Sequence, residues 1–190
     1  YGNKQNDTER NLREERLDQQ SILLLTVNGL FIAANALSGT FINVYLWKEN
    51  NNFILIALFA LSSQILTATS FWIGGKWVKE RNKMNSLRLG VGISALFYLL
   101  VLLMGEQSNY PYVLLLGTVQ GIAFGCFWLA FNVIYFEVTE PENRDKFNGW
   151  AGLLGSSAGI VAPWISGFLI THMKDLHGYR LIFSMSIVLY

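Results

Sequence analysis

The sequence predicts an all-α membrane protein, a bundle of six membrane-crossing helices. Three observations predict it. The first is composition: of 190 residues 52 % are apolar and 14 % are charged, against the roughly 25 % charge of a soluble domain. The second is where the charges fall. Residues 22–46, 53–75, 89–105, 107–136 and 147–173 form charge-free runs of 25, 23, 17, 30 and 27 residues. A helix needs about 20 apolar residues to cross roughly 30 Å of hydrocarbon. Leu, Ile, Phe, Ala and Val occupy all faces of these runs, where a soluble helix would keep a polar stripe. The third is the loop chemistry. Alternate loops carry 11 and 3 basic residues, and such asymmetry sets orientation, with the richer side cytoplasmic.

Taken in order, residues 1–21 read as a polar, mixed-charge cytoplasmic tail. Spans follow at about 22–46, 53–75, 87–105, 110–136 and 147–172. A last apolar run, 179–190, stops at the end of the chain, and with a first residue that is not Met the sequence reads as a fragment with an incomplete sixth span. The first run is too long for a signal-peptide core and lacks a small-residue cleavage site. Trp47, Trp77, Tyr110, Tyr112 and Tyr179 fall at the expected interfaces, where amphipathic rings are favoured. The expected location is the cell membrane, multi-pass, with the N-terminus inside.

Several function classes drop out. A net charge of +1 gives no basic stripe for nucleic acid. A lone cysteine, Cys126, excludes a disulfide framework and a cysteine-based metal cluster, and no cofactor is expected. No phosphate-binding P-loop is present to drive an ATP-dependent pump. Gly155-Ser156-Ser157-Ala158-Gly159 matches the Gly-x-Ser-x-Gly string of serine hydrolases. That string needs a strand-to-helix turn and a nearby base; here it lies in a helical run, three to five turns from His172 and His177. An enzyme is not expected.

Small residues and amides are the informative residues within the spans. Gly117, Gly121 and Gly125 recur every fourth residue in span four, a spacing that lets helix backbones approach closely. In span five, Pro163 removes a backbone hydrogen bond, so Gly159, Pro163 and Gly167 are expected to bend the helix against a neighbour as a hinge or gate. Asn28, Asn35 and Asn43 lie on one side of span one. Span two adds Gln64. Gln120, Phe124, Trp128 and Asn132 share a face of span four. Polar groups inside spans commonly mark solute pathways. The expected binding set is Asn28, Asn35, Gln64, Gln120, Phe124, Trp128 and Asn132. Of these, Asn35, Gln120 and Trp128 should line one cavity, with Asn28 and Asn132 on its flanks.

The order of spans and loops resembles the first half of a major facilitator superfamily transporter, from Ser21 onward. After span two, Gly75-Lys76-Trp77-Val78-Lys79-Glu80-Arg81-Asn82-Lys83 is similar to the family's Gly, Asp, basic signature, with Lys79 in the Asp place and Glu80 beside it. Gly117-Thr118-Val119-Gln120-Gly121 resembles the span-four signature without its Arg. Ala158 to Gly167 resembles the antiporter signature of span five, with Ala162 and Ser166 at two glycine positions. Glu140-Pro141-Glu142-Asn143-Arg144 resembles the stretch after span four. The resemblance implies half of a twelve-span fold, a second six-span half as partner, and gating roles for Gly75, Glu80 and Arg81. It also implies a solute site near the membrane midplane between the halves.

The expected function is secondary active or facilitative transport of a small organic solute by alternating access, with the solute and the lipid bilayer as partners. The alternative is a non-transporting sensor or scaffold on the same fold. No Asp, Glu, Lys or Arg falls within the charge-free runs, so this half is not expected to carry a coupling proton. Glu106, Glu137, Asp175 and His172 are the nearest titratable groups.

Overall fold

The structure is a computed structural model. It describes residues 17–80, 82–103, 109–173 and 177–190, with the side chains of 49, 50, 77, 79 and 80 outside that description. The described residues form six α-helices and no strand: α1 Gln19–Asn50, α2 Phe53–Glu80, α3 Lys83–Leu103, α4 Tyr110–Val138, α5 Arg144–His172 and α6 His177–Leu189. Five of them, α1 to α5, are long and apolar enough to cross a membrane.

Most helices run past the charge-free segments that announce them. At 1.5 Å per residue the 32 residues of α1 extend about 48 Å, more than hydrocarbon alone requires. The surplus carries Lys48, and the corresponding surplus of α2 and α3 carries Lys76 and Lys83. Long basic side chains let a helix continue into the headgroup layer. Local chemistry sets the ends. Asn51 adopts a left-handed conformation, φ 49°, and its N–H closes α1 on Trp47 O, a conformation Asn tolerates better than most residues. Asn52 then accepts the Ile54 N–H at 2.9 Å and opens α2. Pro111 sits in the first turn of α4, where its missing N–H costs nothing. α5 is continuous through Pro163.

The packing follows a crossed pattern. α4, first helix of the second triplet, packs chiefly on α2 and α3 of the first, and α1 packs chiefly on α5 and α6. α3 also meets α6. Each triplet thus inserts its leading helix between the other two helices of its counterpart, the arrangement expected of nested three-helix repeats. Apolar side chains fill two depths. One cluster, with Phe31, Leu87, Phe127, Phe131 and Phe147, lies toward the basic end that carries Lys76, Lys83 and Arg144. The other, with Tyr45, Phe59, Phe97, Tyr98 and Phe183, lies toward the opposite end.

The α2–α4 seam is the tightest. A methyl group on Gly117 would collide with Ser62 Oγ and stand 2.6 Å from Phe59 O, and one on Gly121 would collide with Ser63 O. Gly125 meets Ser70 in the same way. Ser63 donates to Gln120 Oε1 at 3.2 Å, and Thr67 Oγ1 to Gly121 O at 3.2 Å. The sequence expectation for the span-four glycines describes this seam.

Candidate functional site

α1, α4 and α5 diverge around a cavity of about 380 Å³, lined in part by Asn35, Gly39, Thr40, Phe124, Trp128 and Gly159. Small residues on α1 and α5 leave the space: Gly39 and Gly159 have nothing within 4 Å of where a Cβ would stand. α4 supplies the aromatic wall. Trp128 is held edge-on by Phe31, Phe127 and Phe131, at centroid distances of 6.0, 5.4 and 5.5 Å and interplanar angles of 87°, 87° and 82°. Phe31 itself stacks on Phe127 at 3.5 Å. Edge-to-face contacts are favourable for quadrupolar rings, so the indole is fixed in orientation while remaining half-buried.

Asn35 is the amide in this cavity. Its Nδ2 donates to Phe31 O of its own helix at 2.9 Å. The carboxamide oxygen has no partner among the described residues and can accept a hydrogen bond from a solute. Asn28, two turns toward the N-terminus, is 3 % exposed. Its Oδ1 is buried without a hydrogen-bond partner among the described residues. It is not among the lining residues. Asn132, one turn beyond Trp128, is exposed, as is Asn43.

Two amides of the expected set lie elsewhere. Gln120 is 9 % exposed and its Oε1 is engaged by Ser63. In an apolar seam a glutamine finds its partner on the facing helix, so it is spent on α2–α4 packing and does not line the cavity with Asn35 and Trp128. Gln64 is exposed. α2 turns Ser63 and Thr67 toward α4, which leaves the next position, 100° around the helix, on the outside.

The expected hinge set also needs correction in its contacts. Gly159 and Gly167 turn open space, not a neighbouring helix, to the position a Cβ would take. Ala162 and Ser166 of α5 are buried against α1, Leu154 Cδ1 stands 3.3 Å from where a Cβ on Gly29 would be, and Ser166 donates to Leu37 O at 2.8 Å. That bond turns this face, rather than the glycine face, onto α1. Pro163 is half-buried beside them, and Gly75 has open space around it. The Glu80 side chain and Arg81 lie outside the described residues, as do Glu106 and Asp175.

The basic end is braced by polar contacts. Ser21 donates to Val138 O at 2.8 Å and ties the start of α1 to the end of α4. Arg144 donates to Thr139 O and Oγ1, both at 3.3 Å, and lies over the Phe136 ring at 5.0 Å. Glu137 pairs with Lys83 at the surface. His172 is exposed and contacts Phe168 O at 3.0 Å. Neither reaches the cavity.

A second cavity, about 410 Å³, opens between α1 and α3 beside Val27, Leu30, Leu87, Arg88 and Val91. Arg88 is the charged group there, and no amide accompanies it. Sequence reasoning missed Gly39, Thr40 and the bracing ring of Phe31. Small and apolar residues in an apolar span carry no signal of their own until a neighbouring helix fixes which face is open.

Residues 23–190 match the Major Facilitator Superfamily. The chain is 45 % identical over 169 residues to the uncharacterized protein YqgE of Bacillus subtilis (strain 168), covering 89 % of this chain and 39 % of that protein. It is 39 % identical over 170 residues to an uncharacterized protein encoded in the sodM 3' region of Geobacillus stearothermophilus, covering 90 % and 79 %. It is 23 % identical over 114 residues to a ribitol transporter of Klebsiella pneumoniae, covering 59 % and 27 %. The chain thus spans well under half the length of the first and third of these relatives. No solved structure matches it significantly. With its crossed helix packing and a match that extends over nearly all of its length, this multi-pass membrane chain belongs to the Major Facilitator Superfamily.

Proposed function

We propose that the chain forms a six-helix half of a cell-membrane transporter, and that the α1–α4–α5 cavity is its share of the solute site. The observation that carries this reading is an amide and an indole in one cavity whose lining residues include no charged side chain. Asn35 can hydrogen-bond a hydroxyl or amide, while Trp128 can cover an apolar C–H or aromatic face. A charged solute would lose its hydration there without an opposite charge from this half. The solute is therefore a small uncharged polar organic molecule, and the second half of the site comes from a partner six-helix unit that rocks against this one. The name of the distant ribitol transporter is in keeping with such a solute, since ribitol is a neutral polyol. The 11 basic residues of the alternate loops support a cytoplasmic N-terminus. Of the titratable groups named from the sequence, Glu137 is exposed and paired with Lys83 and His172 is exposed, so neither of these two supports coupling through the cavity.

The test is uptake into proteoliposomes by the full-length protein, with labelled neutral polyols, sugars and nucleosides. Trp128→Ala and Asn35→Ala should each cut uptake about tenfold, the factor that about 1.4 kcal/mol of lost binding gives. Gln64→Ala should leave it unchanged. Absence of uptake of any neutral solute would favour the sensor or scaffold reading. Equal uptake by wild type and Trp128→Ala would remove the cavity from the pathway.

A further inference from the structure

Arg88 borders the cavity between α1 and α3, and a second cavity lies on its other side. That one, about 540 Å³, runs along the outer face of α3 against Asn85, Leu89, Ile93 and Leu96. Arg88 and Gly92 line both cavities. Asn85, Arg88, Gly92 and Leu96 follow one another at intervals of three and four residues, so they form one stripe along the helix. Gly92 is the low point of that stripe. It is exposed, and nothing stands within 4 Å of where its Cβ would be. The two cavities are therefore grooves on either side of a saddle, with a guanidinium at the head of both.

Arg88 stands at a chemical boundary. Residues 89–105 carry no charge, so the guanidinium is the last charge of α3 before hydrocarbon. Lys83, at the start of the same helix, is paired with Glu137. Arg88 is exposed and has no hydrogen bond, ion pair or ring contact among the described residues. A cation at the edge of the hydrocarbon is costly unless a counter-charge reaches it. Phospholipid headgroups lie at this level, and a phosphate matches the planar fork of a guanidinium with two parallel hydrogen bonds. Asn85, exposed one turn earlier, adds an amide for the rest of a headgroup.

The surface beyond Arg88 selects the source of the phosphate. The outer groove continues over Leu89, Ile93 and Leu96, and the inner one over Val27, Leu30 and Val91. A soluble anion would leave both apolar grooves empty, whereas a lipid with two acyl chains fills both. The cavities beside α5 and at the first turns of α1 have no charged side chain in their lining. Basic pockets between membrane helices are a general means of binding anionic headgroups. A zwitterionic headgroup brings a cation of its own toward Arg88 and is the poorer match.

We propose that Arg88 holds the headgroup of an anionic phospholipid, with one acyl chain in each of the two grooves that meet at Gly92. This site is separate from the solute cavity and stands whether or not the protein transports.

The test uses the full-length protein in detergent, with bound lipid read by native mass spectrometry. The probes are dioleoylphosphatidylglycerol, which is anionic, and dioleoylphosphatidylcholine, which is zwitterionic. Phosphatidylglycerol should be held more tightly. Arg88→Gln should weaken its binding about fivefold, the contribution of one basic residue near an anionic headgroup, and leave phosphatidylcholine unchanged. Gly92→Leu keeps the charge but fills the saddle, and it should weaken both lipids. Lys48→Gln, at the opposite end of the bundle, should change neither. Equal binding of the two lipids by wild type would overturn the proposal, as would phosphatidylglycerol binding untouched by Arg88→Gln or by Gly92→Leu. Displacement of phosphatidylglycerol by an equal concentration of glycerol 3-phosphate would assign Arg88 to a soluble anion instead. A full-length structure with another helix of the protein, or a second copy, seated over Gly92 would likewise overturn it.

Discussion

The α2–α4 and α1–α5 seams hold equivalent places in the crossed packing, and both are rich in small residues, yet they use them in opposite ways. At α2–α4 the three glycines of α4 face Ser62, Ser63 and Ser70 so closely that none could carry a methyl group. At α1–α5 the close contacts are side chains, Ala162 and Ser166 and Leu154 against Gly29, while Gly159 and Gly167 of α5 face open space. Gly155 only brushes Ile32 Cδ1, at 3.8 Å from an added Cβ. The same residue type marks closest approach on one side and clearance on the other. The difference explains why the cavity opens where it does: α4 is clamped from behind by α2, and its Phe124 and Trp128 face a gap that α5 leaves unfilled.

Alanine substitutions separate the two uses, and the largest effect belongs to the tight seam. Gly121→Ala forces a methyl group into Ser63 O and to 2.8 Å of Leu66 Cβ. Overpacking of this kind destabilises by about 1–3 kcal/mol, to be read as a lowered unfolding midpoint in detergent. If Gly121→Ala were as stable as wild type, the seam would not be clamped and the contrast would fail.

The opposite sign is expected at Gly159→Ala. The methyl group meets nothing within 4 Å, and replacing glycine within a helix contributes up to about 1 kcal/mol. The unfolding midpoint should hold or rise while solute uptake changes, since position 159 lines the cavity. A loss of stability there would mean that α5 packs more closely than its geometry indicates. The smallest effect is expected at Ser166→Ala, which removes the bond to Leu37 O and should cost about 0.6 kcal/mol, the average for interhelical hydrogen bonds in a membrane protein. A cost of several kcal/mol would make that one bond, rather than apolar contact, the anchor of the α1–α5 seam.

Much of the fold was legible because membrane burial acts on long stretches of sequence. Charge exclusion over some 20 residues marks α1 to α5, whatever each side chain later touches. The glycine clamp was legible too, because regular spacing on one helix needs no knowledge of the partner. The site was legible only in part. Asn35, Phe124 and Trp128 do share a cavity, and helical periodicity put Phe124 and Trp128 on one face. Gln120 and Gln64 carried the same polar signal as Asn35. What separates them is whether a hydroxyl such as Ser63 stands opposite, and that depends on which helices meet. The buried contact between Ser38 of α1 and Ser186 of α6, 2.5 Å between their oxygens, was silent for the same reason. A serine in a span can bond back to its own helix, as Ser94 does, and nothing in its local sequence distinguishes that from a link between helices.

The crossed packing also sets a schedule for synthesis. α4 emerges when both helices it packs against, α2 and α3, are already made. α1 must wait for its first large partner: it ends at residue 50 and α5 begins at residue 144, 94 residues later, roughly 5–20 s at ribosomal elongation rates. During that interval Asn28 and Asn35 occupy a helix whose main neighbours do not exist. A lone apolar span with two uncommitted amides can pair with other polar spans nearby, or wait against the protein-lined wall of the insertion machinery. The chain's most exposed moment therefore falls early, between completion of its first helix and arrival of its fifth.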